Sequence, residues 1–219
     1  MIDQSTTKGR IIEAALRLAA EKSWLDVAML DIAEAADVSL VEMKKEFPSK
    51  AAILMGFSRA VDDVVLKGVT KRTPGAPARD ALFEVLMARF DAMQPYRTGL
   101  RSIIGSGLPD TALMQRLFSS QAWMLNAAGV PLNGIGGTVR VFGLTSVYAS
   151  VLRTWLDDDD VGQARTMAAL DRRLRRGEGS LATLDSVCGS VTGVFELLMG
   201  RRQRAKPAAG SEKMSDSAS

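Results

Sequence analysis

Arg89, Arg140 and Arg153 each fall in a stretch that is otherwise apolar at helical spacing. A guanidinium in such a setting needs an anion or a carbonyl, because taking it out of water without one is costly. The usual partner is a nearby Asp or Glu; an acidic or quinone-like ligand is the alternative. Among them stand Phe90, Trp123, Met124, Phe142, Tyr148 and Trp155, aromatic and thioether side chains at helical intervals that either fill a core or line a ligand pocket. The other concentration of polar chemistry is Asp157 to Asp160, four adjacent carboxylates. Without further ligands they make a poor metal site, and their charge suits the positive start of the helix that follows, so they read as a capping loop. Arg172, Arg173, Arg175 and Arg176 then end that helix, where cations are favoured.

The chain has no histidine, which removes His-based acid-base catalysis, Ser-His and Cys-His nucleophiles and nearly all zinc sites. Cys188 is alone, so an intramolecular disulfide is excluded and a reducing compartment fits. No glycine-rich phosphate loop occurs. These residues point to no enzyme, no metal and no cofactor. With 219 residues, 47% of them hydrophobic, the chain can bury a core as one or two domains. Its net charge of +3 permits anionic partners without requiring them. The polar stretch from Met1 to Thr7 and the charges that interrupt each long apolar run predict neither a signal peptide nor a membrane span, and hence a cytoplasmic protein.

Positioning these groups requires helices, and helical periodicity runs through most of the chain. Thr6 or Thr7 can cap a first helix with Ile11, Ile12, Ala15, Leu16, Leu18 and Ala19 on its apolar face, and Trp24 and Val27 fill the space behind it. Residues 29–50 read as two short helices around a tight turn. Leu30, Ile32, Ala33 and Ala36 form one apolar stripe; Asp37-Val38-Ser39 breaks it; Ser39 and Glu42 have the spacing of a capping box. Phe47 returns to the core, Pro48 ends the helix, and Ser49 caps a long helix that continues to about Lys71. Thr73 to Pro77 cannot continue a helix and is read as a linker. Further helices are predicted over 78–93, from Pro95 to Ile104, from a cap at Asp110, over 138–156, over 161–176 and over 181–199, with an irregular loop over 129–137. Apolar on most sides, the 138–156 helix suits a central position or a dimer face. A basic run at 201–206 leads into a tail predicted to be disordered.

The segment IAEAADVS, a short helix and FPSK before a long apolar helix together resemble the DNA-binding domain of TetR-type transcriptional regulators, over roughly the first 65 residues. The resemblance implies that the second helix of a helix-turn-helix enters the major groove, with Ser39, Leu40, Val41, Glu42, Lys44 and Lys45 on it and Lys50 at a phosphate. Asp37 stands where the family usually has glycine, and Lys44 where it usually has an aromatic. Residues 1–50 hold seven Lys or Arg against nine Asp or Glu, whereas DNA readers are normally basic.

A second stretch, residues 147–174, is similar to the C-terminal helices of the lipid-binding ubiquinone-biosynthesis family, whose fold is itself TetR-like. The expectation is therefore an all-α chain: a helix-turn-helix domain over 1–50, a linking helix over 51–72, a helical ligand-binding and dimerisation body over 73–204 and a tail over 205–219. Its function would be that of a ligand-responsive repressor, a homodimer partnered by a double-stranded DNA operator and a small apolar or weakly acidic effector, with dimer contacts from Thr138 to Arg176. The alternative is a lipid or isoprenoid carrier that keeps the fold without binding DNA.

Overall fold

The computed structural model describes residues 2–69, 77–107 and 111–177. Every regular element among these residues is helical. The first, α1 (Thr7–Glu21), starts where the Thr6 hydroxyl accepts from the Gly9 N–H at 3.0 Å. A single 3-10 turn, Trp24–Asp26, leads to α2 (Met29–Ala35), α3 (Leu40–Glu46) and α4 (Lys50–Gly68). Trp24 and Val27 are buried behind α1, as their position in the sequence predicts. Leu30, placed by periodicity on the apolar stripe of α2, is half exposed instead, because a helix of two turns buries only its central Ile32 and Ala33.

The body continues with α5 (Ala78–Met93), a 3-10 turn at Gln94–Tyr96, α6 (Arg97–Gly105), α7 (Thr111–Ala127) and α8 (Gly134–Leu156), and a final described helix, α9, covers 164–177. Asp110, the linker residues 73–76 and the helix expected over 181–199, with the basic run and tail after it, lie outside the described residues. The helix expected from Thr138 begins four residues earlier, at Gly134. Its glycines do not break the first turn; they let another strand of chain lie on it. A Cβ at Gly137 would sit 2.0 Å from the carbonyl oxygen of Leu132, an approach only glycine allows.

Two helix pairs set the geometry of everything else. In one, α1 runs along α6, so the first helix of the N-terminal domain packs directly on the body. Gly99 is the point of closest approach: a Cβ there would lie 2.3 Å from the Leu16 carbonyl oxygen. Backbone on backbone leaves no side chain to move aside, so Gly99→Ala should cost about 1–3 kcal/mol in urea unfolding, as overpacking does. In the other, α4 packs against α5 and α7 in the body while also touching α1. Its Ile53 and Phe57 are buried, with Phe57 edge-on to Tyr96 at 5.4 Å, and Ser58, Val61, Asp62 and Val65 continue the buried face. One helix thus begins at the FPSK segment and runs on to pack against the body helices.

Two of the four aspartates cap α9, and Asp157 and Asp159 face Arg101 and Arg97 instead. Asp160 accepts from the Ala164 N–H at 3.0 Å, and Asp158 accepts from both the N–H and the hydroxyl of Thr166 at 2.8 and 2.7 Å. Asp158 is wholly buried rather than solvated. Burial pushes its carboxyl up, and the Thr166 donors, the Asp160 N–H and Arg165 outweigh that and hold it below the usual carboxylate range. By length and composition alone α8 would reach across a bilayer, contrary to the expectation of no such stretch. Its Leu144, Tyr148, Val151 and Trp155 are buried within the fold, while most of its apolar stretch is not.

Candidate functional site

The turn between α2 and α3 is tight because Asp37 takes the left-handed conformation, with φ at 52°. Glycine would do this freely; aspartate, with its short polar side chain, is among the few other residues that visit it. The turn releases Ser39 in an extended conformation, from which it caps α3. Its hydroxyl accepts from the Glu42 N–H at 3.2 Å and donates to Glu42 Oε2 at 2.7 Å, while its own N–H donates to the same carboxylate oxygen at 2.9 Å. The capping box read from the sequence is therefore complete. Ser39 above all, with Lys45 and Arg10 further away, holds the Glu42 carboxyl below the ordinary range.

The same geometry decides what α3 can show to solvent. Met43 is its one buried side chain, and Ser39, Leu40, Val41, Glu42, Lys44 and Lys45 are exposed. Val41, at 66% exposure, has nothing in the fold to cover it. Glu42 belongs to this surface by position, but its carboxylate is turned back to its own helix terminus. Lys50 is placed differently from the other cations. Its ammonium lies over the Trp24 ring, 4.3 Å from the centroid, and donates to the carbonyls of Trp24 and Val27, the latter at 2.8 Å. Burial pushes its pKa down, against the pull of Asp26. An ammonium carries three donors, so these two carbonyls leave one N–H for a phosphate.

Pairing also changes the meaning of the acidic count. Glu46 faces Lys8 at 3.4 Å, Asp31 is bonded to Lys22 and to the Ala28 N–H, and Glu42 is held by Ser39. Arg10 and Arg17 donate to the carbonyls of Ala36 and Ala35. Among the described residues, Lys44 and Lys45 are exposed cations of this domain with no ion pair or hydrogen bond of their own. They lie side by side on α3.

The second site is interior. Arg89 on α5 donates to the carboxylate of Asp62 on α4, to the Tyr148 hydroxyl on α8 at 3.1 Å and to the Ser58 hydroxyl at 3.4 Å. Arg116 on α7 donates to the other oxygen of Asp62, and the Ser120 hydroxyl donates to Asp62 at 2.7 Å. Three helices meet at one carboxylate, and Arg89 ties α8 to it through Tyr148. Burial alone would lower the pKa of Arg89, but Tyr148 and Asp62 outweigh it and raise the pKa, so the guanidinium stays charged. The predicted need of Arg89 for an anion is met by Asp62. Sequence reading missed Asp62 and Arg116, although a signal existed: Ser58 and Asp62 interrupt the apolar stripe of α4 one turn apart, which buries a carboxylate unless a cation reaches it.

Of the aromatic and methionine set, Phe90, Met124, Tyr148 and Trp155 are buried. Phe90 stacks on Tyr148 at 5.5 Å and meets Trp155 at 5.6 Å. Trp123 and Phe142 do not join them; they are 53% and 60% exposed on the outer faces of α7 and α8. A helix apolar on most sides offers no sequence signal for which side faces inward, and that is where the expectation went astray. Arg140 donates to the Pro131 carbonyl at 3.1 Å, and Arg153 is exposed. Among the described residues no group of acidic, histidine or cysteine side chains could hold a metal ion.

Residues 11–55 match the family of bacterial regulatory proteins described as the tetR family. Over these residues the N-terminal domain is similar to that family. The match covers most of α1, the whole helix-turn-helix and the start of α4, within the region that the sequence resemblance singled out. Solved structures extend the similarity to the TetR fold as a whole. A TetR transcriptional regulator from Nitrosomonas europaea is 24% identical, covering 78% of this chain and 97% of its own, with a TM-score of 0.63. One from a Rhodococcus species is 19% identical over 79% of this chain and 96% of its own, at 0.58, and one from Streptomyces coelicolor is 18% identical over 94% and 91%, at 0.54. No curated protein matches in sequence. The resemblance of residues 147–174 to the ubiquinone-biosynthesis family is not borne out, since the family match and these structures are all of TetR regulators.

Proposed function

We propose that the protein is a ligand-responsive transcriptional repressor that binds its operator as a homodimer in the cytoplasm. The observation that carries this reading is the outer surface of α3. A capped helix, anchored inward by Met43, presents Leu40, Val41, Lys44 and Lys45 to solvent in the position that a TetR-family domain gives to its recognition helix. Apolar groups suited to thymine methyls lie beside cations suited to phosphates or guanine edges. Glu46 and Asp31 are paired with Lys8 and Lys22, and the Glu42 carboxylate is turned to its own helix terminus, so Lys44 and Lys45 are the cations that α3 presents. Binding to the DNA upstream of the gene, measured at two salt concentrations beside unrelated DNA, tests the reading. Preference for the upstream fragment, with affinity falling steeply as salt rises, supports it; equal and weak binding to both fragments rejects it in favour of a carrier that keeps the fold.

A dimer is needed because helix-turn-helix proteins read two half-sites about one DNA turn apart or a multiple of it. The outer side of α8 supplies a face for one. Ile135, Val139 and Phe142 are exposed at helical spacing, Ser146 and Ala149 extend the same stripe with small residues, and Phe118 of α7 lies 4.8 Å from Phe142. An apolar stripe repeated on a second copy makes a self-complementary contact. Phe142→Asp should convert dimer to monomer in sedimentation equilibrium while leaving the helical circular dichroism intact. An unchanged mass would place the interface elsewhere.

A further inference from the structure

The cluster around Asp62 does not balance. Two guanidinium groups face one carboxylate, so a positive charge is left over where Arg89 and Asp62 are almost wholly buried. Uncompensated charge is costly in such a place. The two arginines differ. Arg89 is engaged through all three nitrogens, with Tyr148, Asp62 and Ser58. Arg116 gives Asp62 one nitrogen, its buried Nε has no partner, and its side chain keeps 16% of its surface in solvent. Further along α7, Gln121 is completely buried with both amide atoms unpartnered.

We propose that Arg116 anchors a monoanionic carboxylate with an apolar body, which enters between α4 and α7 and takes over the guanidinium now shared with Asp62. One negative charge brings the cluster to neutrality. The idle Nε and the nitrogen now on Asp62 together form the fork that a carboxylate accepts from in two parallel hydrogen bonds. The inference rests on the ligand-responsive reading and gives the ligand a chemical class. It also gives the response a route: a carboxylate on Arg116 removes one of the two hydrogen bonds by which α7 holds Asp62, leaving Ser120 and Arg89 on it, and so loosens the helix that leads into the DNA-reading domain.

Thermal unfolding of the full chain with sodium octanoate, beside 1-octanol, tests this without DNA. Octanoate is expected to raise Tm in proportion to the logarithm of its concentration and octanol to leave it unchanged. Arg116→Gln should weaken the octanoate response about tenfold or more, and Arg116→Lys, which keeps the charge and loses the fork, should fall between. If Arg116→Gln does not fold, the comparison of Arg116→Lys with the unaltered chain decides. No shift with octanoate, an equal shift with octanol, or an undiminished response in the variants overturns the proposal. An Arg116-dependent shift in a protein that ignores its upstream DNA would leave the site standing and remove the regulator.

Discussion

Asp62→Ala is expected to destabilise the protein by about 3–5 kcal/mol, the cost of removing one partner from a buried ion pair. The substitution does more than delete a contact. It leaves Arg89, buried to 2% exposure, and the part-buried Arg116 without any counter-charge, and it removes the acceptor of the Ser120 hydroxyl. Urea unfolding should show the midpoint falling with an unchanged slope, since the surface exposed on unfolding is the same. Replacing Asp62, Arg89 and Arg116 together by leucine or methionine should recover most of the loss, because apolar residues of similar volume leave no group to desolvate. A loss of less than about 1 kcal/mol for Asp62→Ala would mean that water reaches the cluster and the pair behaves as a surface one.

The second large effect is on DNA. Lys44→Ala with Lys45→Ala removes the two exposed cations of α3 that no acidic group neutralises, while Met43, the Ser39 cap and the fold of the helix remain. Each lysine that meets a phosphate contributes about 1 to the slope of log affinity against log salt, so the double variant should lose about 2 from that slope. Affinity for the operator at moderate salt should fall about a hundredfold, at roughly 1.4 kcal/mol for each lysine. Lys50→Ala tests a different thing. Its ammonium bridges the Trp24 and Val27 carbonyls, so its loss should lower the stability of the domain as well as its affinity.

Much of this architecture was legible in the sequence, for identifiable reasons. The helix-turn-helix reads cleanly because its signals are local: Ser39 and Glu42 at capping-box spacing, Asp37 at the turn, Pro48 and Ser49 between helices. Each acts within four residues, and each is found where the spacing puts it. Signals that depend on distant partners read poorly. Asp62 and Arg116 are 54 positions apart, and nothing local marks either as the neighbour of the other. The start of α8 was misplaced because glycine is a helix breaker by propensity, whereas Gly137 is there for a close approach by Leu132 that only the folded chain reveals. Trp123 and Phe142 were assigned inward by composition, and the packing of α7 and α8 turns them out.

The net charge of the first 50 residues illustrates the same division. Nine acidic residues against seven basic ones speak against DNA binding as a sum. As placed groups they leave α3 a local basic pair, because Glu46 and Asp31 are paired elsewhere, Glu42 is turned to its own helix terminus, and Lys44 and Lys45 face outward. Electrostatic recognition follows the positions of charges, not their total.

The most direct test of the central claim, that α3 reads DNA from a symmetric dimer, is a hydroxyl-radical footprint of the protein on the DNA upstream of its gene. Two protected half-sites related by approximate two-fold symmetry, with centres about 10 base pairs or a multiple of that apart, are the expected result, and both should vanish in the Lys44→Ala, Lys45→Ala variant. Uniform protection that follows protein concentration regardless of sequence, or none at all, would contradict it.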